Sequence, residues 1–390
     1  MHRGSPTQTF IALFVLFFPY RIFAQSDREA ENLRSLAGTS ELALHDLNEH
    51  GIAVQGTMIY EWSKEFEPGG RAASFARYSF DAVIPVDGKK LFGVSGSAGM
   101  IRLRHHLNNF GGDCVGETQL YSNIDASPRT TLYEAWIEER LFAETLRVKF
   151  GKIDANTEFA AVPTASDFLN SSMGYSPTII AFPTYPEPKL GFNAFYRPTA
   201  DNTLGVGVFQ TASAGALTIV EPSHAWNLGS SKKPGRASAG YWHLRGSLAR
   251  FDGEIASGTT GIYSVLEQTL WRARMEKESE RRLSSFFQFG TADGSISPYQ
   301  HHFGAGVVLQ GMGRKRSQDA IGFATTWVRF SSQPGARFEY PGEFIFESYY
   351  KAAITRHIAL VQDFQFVHHP GGLQANPDCP VVTPRLVIAF

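Results

Sequence analysis

Charged side chains at alternate positions of extended segments are the residues that say most about the chemistry of this chain. Arginine and lysine supply hydrogen-bond donors, and the carboxylates supply acceptors. Neutral polyols use both kinds of group, so the set suits reversible binding of a hydroxylated solute. For each residue the alternative is a structural ion pair that holds the wall. The set comprises Arg77, Asp81, Glu134, Glu138, Arg147, Lys149, Glu347, Lys351 and Asp363.

Sequence motifs for bond-making chemistry are missing. Residues 93–97 read Gly-Val-Ser-Gly-Ser rather than Gly-x-Ser-x-Gly, and no strand-to-helix turn is predicted there. The Gly-x-Gly pairs at Gly205 and Gly304 lie within predicted strands, whereas nucleotide binding requires a helix directly after them. We therefore expect neither an enzyme nor a nucleotide cofactor, and no other cofactor is indicated.

The charged residues belong to segments with a two-residue period. Between 77 and 84, Tyr78, Phe80, Ala82 and Ile84 alternate with Arg77, Ser79, Asp81 and Val83. A strand with lipid outside and water inside requires this alternation, and an Arg or Lys on the lipid face would cost ~2–4 kcal/mol at the midplane. The charged set should therefore point into a lumen, with Tyr133, Ala135, Ile137, Val148 and Phe150 facing lipid. The sequence does not decide whether Arg102 and Arg104 face the lumen or the lipid.

Sixteen such segments fill the chain after Gly51, each about ten residues long, as a tilted membrane-spanning strand requires. An even count places both termini of the chain on the periplasmic side. Residues 51–390 are thus predicted to form one all-β, antiparallel transmembrane barrel. A tight turn is predicted at Asp87–Lys90. The segments are Gly51–Trp62, Ser74–Pro85, Val94–His106, Thr131–Leu141, Leu146–Asp154, Lys189–Arg197, Leu204–Gln210, Ala216–Trp226, Arg236–Ala249, Gly261–Arg272, Leu283–Ala292, His302–Gly311, Ala320–Ser331, Glu343–Ala353, Ile358–Val367 and Val381–Phe390.

Both ends of the chain support export to the outer membrane. Arg3, the apolar run from Phe10 to Phe18 and the small residues from Ala24 to Ser26 are typical of a secretory signal peptide. The alternative is a buried N-terminal helix. Residues 1–24 are predicted to be the signal, and residues 25–50 a periplasmic segment with a short helix that starts at Ser40. The final strand ends on Phe390. This ending resembles that of outer-membrane barrels, whose assembly machinery reads a final strand that closes on Phe.

Composition agrees with a barrel that is apolar outside and wet inside. Aromatic residues make up 13% of the chain, while hydrophobic residues reach only 43%. The 36 Lys and Arg residues face 37 Asp and Glu residues, so there is no basic excess for nucleic acid. In an oxidising periplasm Cys114 and Cys379 either pair or stay as isolated thiols.

A long irregular stretch from Ala155 to Pro188 separates two predicted strands. It exceeds an ordinary hairpin loop, and it suits a constriction loop folded into the lumen, with Glu158, Asp167 and Asn170 as its candidate polar residues. The alternative is a loop outside the barrel. The histidine pairs at 105–106, 301–302 and 368–369 fall near external strand ends. Neighbours on a strand point to opposite faces, so we expect polar mouth residues rather than a metal site.

Several motifs resemble the OprB-type carbohydrate-selective porins. They are Phe150–Asp154, Thr157–Phe159, Ala165–Pro177, Ser122–Ile124, Arg129–Trp136 and Leu360–Val367 with Pro370–Gly372, in the order and spacing of that family. The resemblance implies passive diffusion of monosaccharides or small oligosaccharides across the outer membrane of a Gram-negative bacterium, and possible homo-oligomers. A general diffusion pore is the alternative within transport. An outer-membrane hydrolase or adhesin barrel is the alternative from another class.

Overall fold

A closed barrel of sixteen antiparallel strands contains every strand that the sequence predicts. The computed structural model describes residues 46–66, 72–108, 116–211, 215–274, 280–313 and 316–390. The predicted signal peptide at 1–24 and Cys114 lie outside these residues. The strands are β1 (Gln55–Phe66), β2 (Ala72–Asp87), β3 (Ser97–Asn108), β4 (Arg129–Leu141), β5 (Leu146–Ile153), β6 (Lys189–Tyr196), β7 (Asn202–Gln210), β8 (Ala216–Leu228), β9 (Lys233–Ala249), β10 (Ile255–Arg274), β11 (Glu280–Ala292), β12 (Tyr299–Gln310), β13 (Ala320–Phe330), β14 (Gly342–Ala353), β15 (Ile358–His368) and β16 (Cys379–Ala389).

The two-residue period of the sequence becomes the inner and outer surfaces of the barrel. On β2, Arg77, Ser79 and Asp81 are buried inside. On the outer surface large apolar side chains such as Ile137 and Phe150 are exposed, as a lipid-facing band requires. The predicted barrel architecture is therefore confirmed.

The last residue takes part in closing the barrel. β16 pairs with β1 from Thr57↔Ala389 to Glu65↔Val381. Beyond the strand, the amide of Phe390 donates to the carbonyl of Gly56 at 3.0 Å, and the amide of Gly56 donates back at 2.8 Å. The Phe390 ring stacks on Phe80 with centroids 6.2 Å apart. Strand closure of this kind removes the exposed sheet edges.

Short helices interrupt the connections. The predicted tight turn at Asp87–Lys90 is wrong: Gly88–Phe92 forms one helical turn, α1. Asp87 caps it by accepting from the amides of Lys89 and Lys90 at 2.9 and 3.2 Å, which favours a helical start over a hairpin. Residues 46–49 are helical before Gly51, the predicted helix end, and the start of that helix lies outside the described residues. Among the described residues, no helix is long and apolar enough to span a membrane.

The lipid-facing frame predicted for Tyr133 is wrong. The register of β3 on β4 shifts by one residue between Arg102↔Glu134 and Leu103↔Leu132. A β-bulge adds one residue to a strand and re-aims its side chains. Tyr133 and Glu134 therefore both lie inside, at 1% and 2% exposure.

Candidate functional site

The segment of residues 155–188, called the constriction segment below, lies inside the barrel. Asp154 holds both of its ends: its carboxylate accepts from the amide of Asn156 at 3.0 Å and from the hydroxyl of Thr184 at 2.6 Å. The amide of Ala155 donates to the carbonyl of Pro183 at 2.9 Å. The segment is thus a closed loop that enters and leaves the lumen at one point.

Glutamates on the barrel wall bind backbone amides of the constriction segment. Glu221 accepts from Ala160 at 2.8 Å, and Glu267 accepts from Thr164 at 2.7 Å. Glu347 accepts from Leu169 at 2.5 Å and from Asn170 at 3.2 Å. Irregular backbone inside a lumen must find such hydrogen-bond partners. These glutamates therefore act as anchors rather than as free pore-lining charges.

Apolar side chains complete the attachment. Phe159 stacks on Phe195 and meets Phe209 edge-on. Phe168 meets Phe286 and Tyr349 edge-on, with centroids 5.9 and 4.8 Å away. Two buried clusters join the segment to inward residues of β7 through β15. That part of the inner surface is called the filled wall below.

A second segment, residues 116–128, also folds inward, and the sequence reasoning missed it. Glu343 accepts from the amides of Thr118 and Gln119, both at 2.9 Å. The hydroxyl of Tyr121 receives a hydrogen bond from Arg77 at 2.6 Å and donates to Glu65 at 2.8 Å. The sequence feature in this segment is the family-like Ser122–Ile124 motif, which does not indicate whether the segment folds into the lumen or outward. Arg77 therefore holds this second segment.

One cavity in the lumen has a volume of about 420 Å³. It lies between the two in-folded segments and the inner surface of β3 and β4. Its lining combines cations, carboxylates, amides, hydroxyls and aromatic rings. The members that offer polar atoms to a solute include Arg102, Arg104, Asn123, Asp125, Tyr133, Asn156, Ser166, Asn170, Tyr175 and Tyr185.

Two arginines line one side of this cavity, and two acids behind them hold them in place. Arg102 donates to Asp81 at 2.6 Å and to Glu134 at 3.4 Å. Arg104 donates twice to Asp81, at 2.5 and 2.7 Å, and lies 3.8 Å from the ring centroid of Tyr133. The sequence alone does not decide which way these two arginines point; in the structure both side chains point into the lumen. Asp81 is predicted to face the lumen, and a cation on the neighbouring strand can pair with it only from the same side. This pairing is the sequence feature that could have predicted the direction of the two arginines.

A second ionic cluster lies towards the periplasmic end of β4 and β5. Arg147 donates to Glu138 at 2.9 Å and to Glu158 at 2.6 Å. Lys149 contacts Glu158 and lies 3.3 Å from Glu138. The inner surface of β2 to β5, called the charged wall below, thus carries two ionic clusters. Across the lumen, Lys351 donates to Asp167 at 2.6 Å.

The predicted charged set lies inside the barrel but differs in access. Arg147 and Lys351 keep 27% and 30% of their side chains exposed. Glu347 and Asp363 are at 0% and 1% exposure, because Asn170, Gln365 and the segment backbone cover them. Contact with a passing solute stays a prediction for the exposed members.

Two of the histidines predicted at the mouth are buried instead. His302 has ring nitrogens 3.1 Å from the hydroxyl of Ser176 and 2.9 Å from that of Thr326. His106 meets Tyr185 edge-on at 5.3 Å. Both rings therefore support the constriction segment. In the described part of the chain no group of three His, Cys, Asp or Glu side chains could hold a metal ion.

Tyr175 and Tyr185 form the aromatic side of the cavity. Burial raises the pKa of Tyr175 to about 12, so its phenol stays protonated and can donate a hydrogen bond. Burial also raises the pKa of Tyr185, whose ring lies 5.5 Å from the guanidinium carbon of Arg104. The cavity therefore offers flat apolar faces beside charged and neutral hydrogen-bonding groups.

Several solved structures share this architecture. OprB of Pseudomonas putida at high pH superposes with a TM-score of 0.79 at 17% identity, over 91% of this chain and 98% of that one. Its low-pH structure gives 0.60 at 18% identity, over 90% and 97%. The channel DcaP of Acinetobacter baumannii gives 0.52 at 10% identity, over 87% and 97%. These likenesses show the fold.

The sequence itself matches one family. A comparison with curated proteins finds no match. The model of the carbohydrate-selective porin family OprB matches residues 80–256 and 213–390, which together cover most of the barrel, including the constriction segment and both ionic clusters. The chain therefore belongs to the OprB family of carbohydrate-selective porins.

Proposed function

We propose that sugars cross this outer-membrane porin by passive diffusion through the 420 Å³ cavity, between the charged wall and the two in-folded segments. The observation that carries the proposal is the composition of the cavity lining. Arg102 and Arg104 line it together with Tyr175 and Tyr185. Sugar hydroxyls can accept from guanidinium groups and donate to carboxylates, while the C–H faces of the ring pack on aromatic side chains.

Selectivity comes from the exposed polar groups, and the buried ones set the geometry. Arg102, Arg147, Lys351 and Asp167 contact the solute in this proposal. Glu134, Glu138 and Glu158 fix the guanidinium groups through ion pairs, and Lys149 pairs with Glu158. Paired charges present donors and acceptors with little net charge, which suits neutral sugars better than ions.

Single-channel recording of the purified protein tests the proposal. Conductance should fall as glucose or maltose is titrated. Stable conductance in the presence of sugar would point to a general diffusion pore. No conductance would favour the hydrolase or adhesin alternatives. Porins are channels, and we infer that this one has no catalytic role.

The contact residues are tested by liposome swelling. Arg102→Gln removes a cation that lines the cavity, and Arg329→Gln removes an exposed cation from the outer end of β13. The sugar flux should change with the first variant and stay unchanged with the second. Unchanged flux in Arg102→Gln, Arg147→Gln and Lys351→Met together would overturn the role of these residues.

Further proposals concern processing and assembly. Residues 1–24 are removed as an export signal, residues 25–50 stay in the periplasm, and the final strand with Phe390 is read by the barrel assembly machinery. Cys379 is buried at the start of β16, and a disulfide to Cys114 remains a prediction. Mass spectrometry of the unreduced mature protein tests the cleavage site and the disulfide, and native mass spectrometry tests the homo-oligomer.

A further inference from the structure

A second cavity, of about 240 Å³, lies on the other side of the constriction segment. It is formed by the periplasmic ends of β9 to β12 and by Pro163 and Thr164. Among its lining residues only Pro163 also lines the larger cavity. The short turn at Pro163–Ala165 therefore separates two spaces, one towards the external mouth and one towards the periplasm.

One ion pair both holds this turn and lines the second cavity. Glu267 accepts from the amide of Thr164 at 2.7 Å. Arg236 donates to the carbonyl of Ala161 at 2.9 Å and lies 3.6 Å from Glu267. The wall of the second cavity is thus fixed to the constriction segment, so its shape is as well defined as that of the first.

The remaining lining has the composition of a sugar site. Arg282 donates to Gln310 at 2.5 Å, and a guanidinium group has further N–H donors for a solute. The hydroxyls of Thr269 and Ser284 lie 3.3 Å apart. Pro163, Pro234 and Val308 supply an apolar surface. The volume corresponds to about eight water molecules, which is room for one monosaccharide unit.

We propose that this cavity is a second saccharide site, which a sugar occupies on its way between the constriction segment and the periplasm. The inference rests on the proposed sugar transport and adds a separate exit site to it. Conduction through a selective pore is favoured by several weak sites in series, because each one must also release its solute. A sugar that has passed Pro163 would meet Arg282, Ser284 and Thr269 next.

The test is sugar block measured from each side of a single oriented channel in a planar bilayer, with glucose and maltose as probes. Arg282→Gln should raise the glucose concentration for half-block from the periplasmic side by about tenfold, as expected for loss of a charged hydrogen-bond donor. Half-block from the external side should change by less than about twofold. Ser284→Ala, a smaller change at the same site, should give about threefold from the periplasmic side alone.

Arg281→Gln is the matched control. It removes the same charge one position earlier in β11, where the side chain faces outward beside Trp271. It should alter block from neither side. The second saccharide site would be overturned if Arg282→Gln changed the half-block concentration equally from both sides. It would also be overturned if neither Arg282→Gln nor Ser284→Ala changed it from either side. Absence of sugar block from both sides of the unmodified channel would overturn the sugar transport itself.

Discussion

The filled wall and the charged wall are parts of one inner surface, yet they are used in different ways. On the filled wall, Trp242, Val265 and Phe286 are buried under the constriction segment. On the charged wall, Arg102 and Arg104 face the 420 Å³ cavity. The constriction segment packs against the apolar inward residues of the filled wall, and the paired charges of the charged wall stay in contact with water.

The difference shows how a wide barrel becomes a narrow channel. Sixteen strands enclose a lumen larger than side chains alone can fill. Burying aromatic side chains supplies the attachment energy on one side. The anchoring glutamates determine where the constriction segment lies, because each one binds a particular backbone amide of that segment. Substitutions on the two walls should therefore have separable effects, on stability and on solute binding.

The largest effect is expected from Phe168→Ala on the filled wall. Its ring is 1% exposed and contacts Phe286 and Tyr349. Loss of a buried aromatic side chain costs ~3–5 kcal/mol. Urea titration of the lipid-reconstituted barrel should show this loss. The control Phe92→Ala removes a ring that is 72% exposed and should cost less than ~0.5 kcal/mol. Equal losses in both variants would contradict the stabilising role assigned to the filled wall.

The next effect is expected from Glu347→Gln. The two carboxyl oxygens accept from the amides of Leu169 and Asn170, and an NH2 group in place of one oxygen would leave a buried amide without its acceptor, which should cost ~1–3 kcal/mol. Hydrogen exchange at these amides should accelerate by roughly ten- to a hundredfold, and the open-channel conductance should rise as the segment loosens. Glu254→Gln, at an exposed glutamate, should change neither. Unchanged exchange in Glu347→Gln would show that the apolar clusters alone position the segment.

A smaller effect, and of a different kind, is expected from Arg102→Gln on the charged wall. Arg104 keeps its bonds to Asp81, so the barrel should lose little stability. The glucose concentration for half-block should rise by about tenfold, the equivalent of ~1.4 kcal/mol. A large drop in stability with unchanged block would reverse the roles assigned to the two walls.

The smallest effect is expected from Lys351→Met. Its partner Asp167 is 2.6 Å away, and both side chains are partly exposed to the lumen. Such pairs contribute ~0.2–1 kcal/mol. Stability at low and high salt should differ from the unmodified protein by no more than that. A larger loss would mean that ion pairs, and not only apolar packing, hold the filled wall.

The strands could be predicted from sequence because lipid and lumen impose a period of two on every one of them. The site could be predicted only in part. One extra residue at the bulge turned Tyr133 inward, and no pattern in Arg129–Leu141 announces it. Segment 116–128 folds inward because Glu343, more than two hundred residues later, binds its amides. Local periodicity carries no information about partners so distant in sequence.

Glu343 also has a consequence for the order of assembly. Its carboxylate accepts from Thr118 and Gln119 of one loop and, at 2.7 Å, from Gly371 of another. Glu347, on the same strand, anchors the constriction segment. Both in-folded segments lie far from β14 in the chain, so neither can be anchored before β14 and the strands that flank that segment have come together. The bore of the channel is therefore fixed only after strands from both halves of the chain are in place, whichever end assembles first.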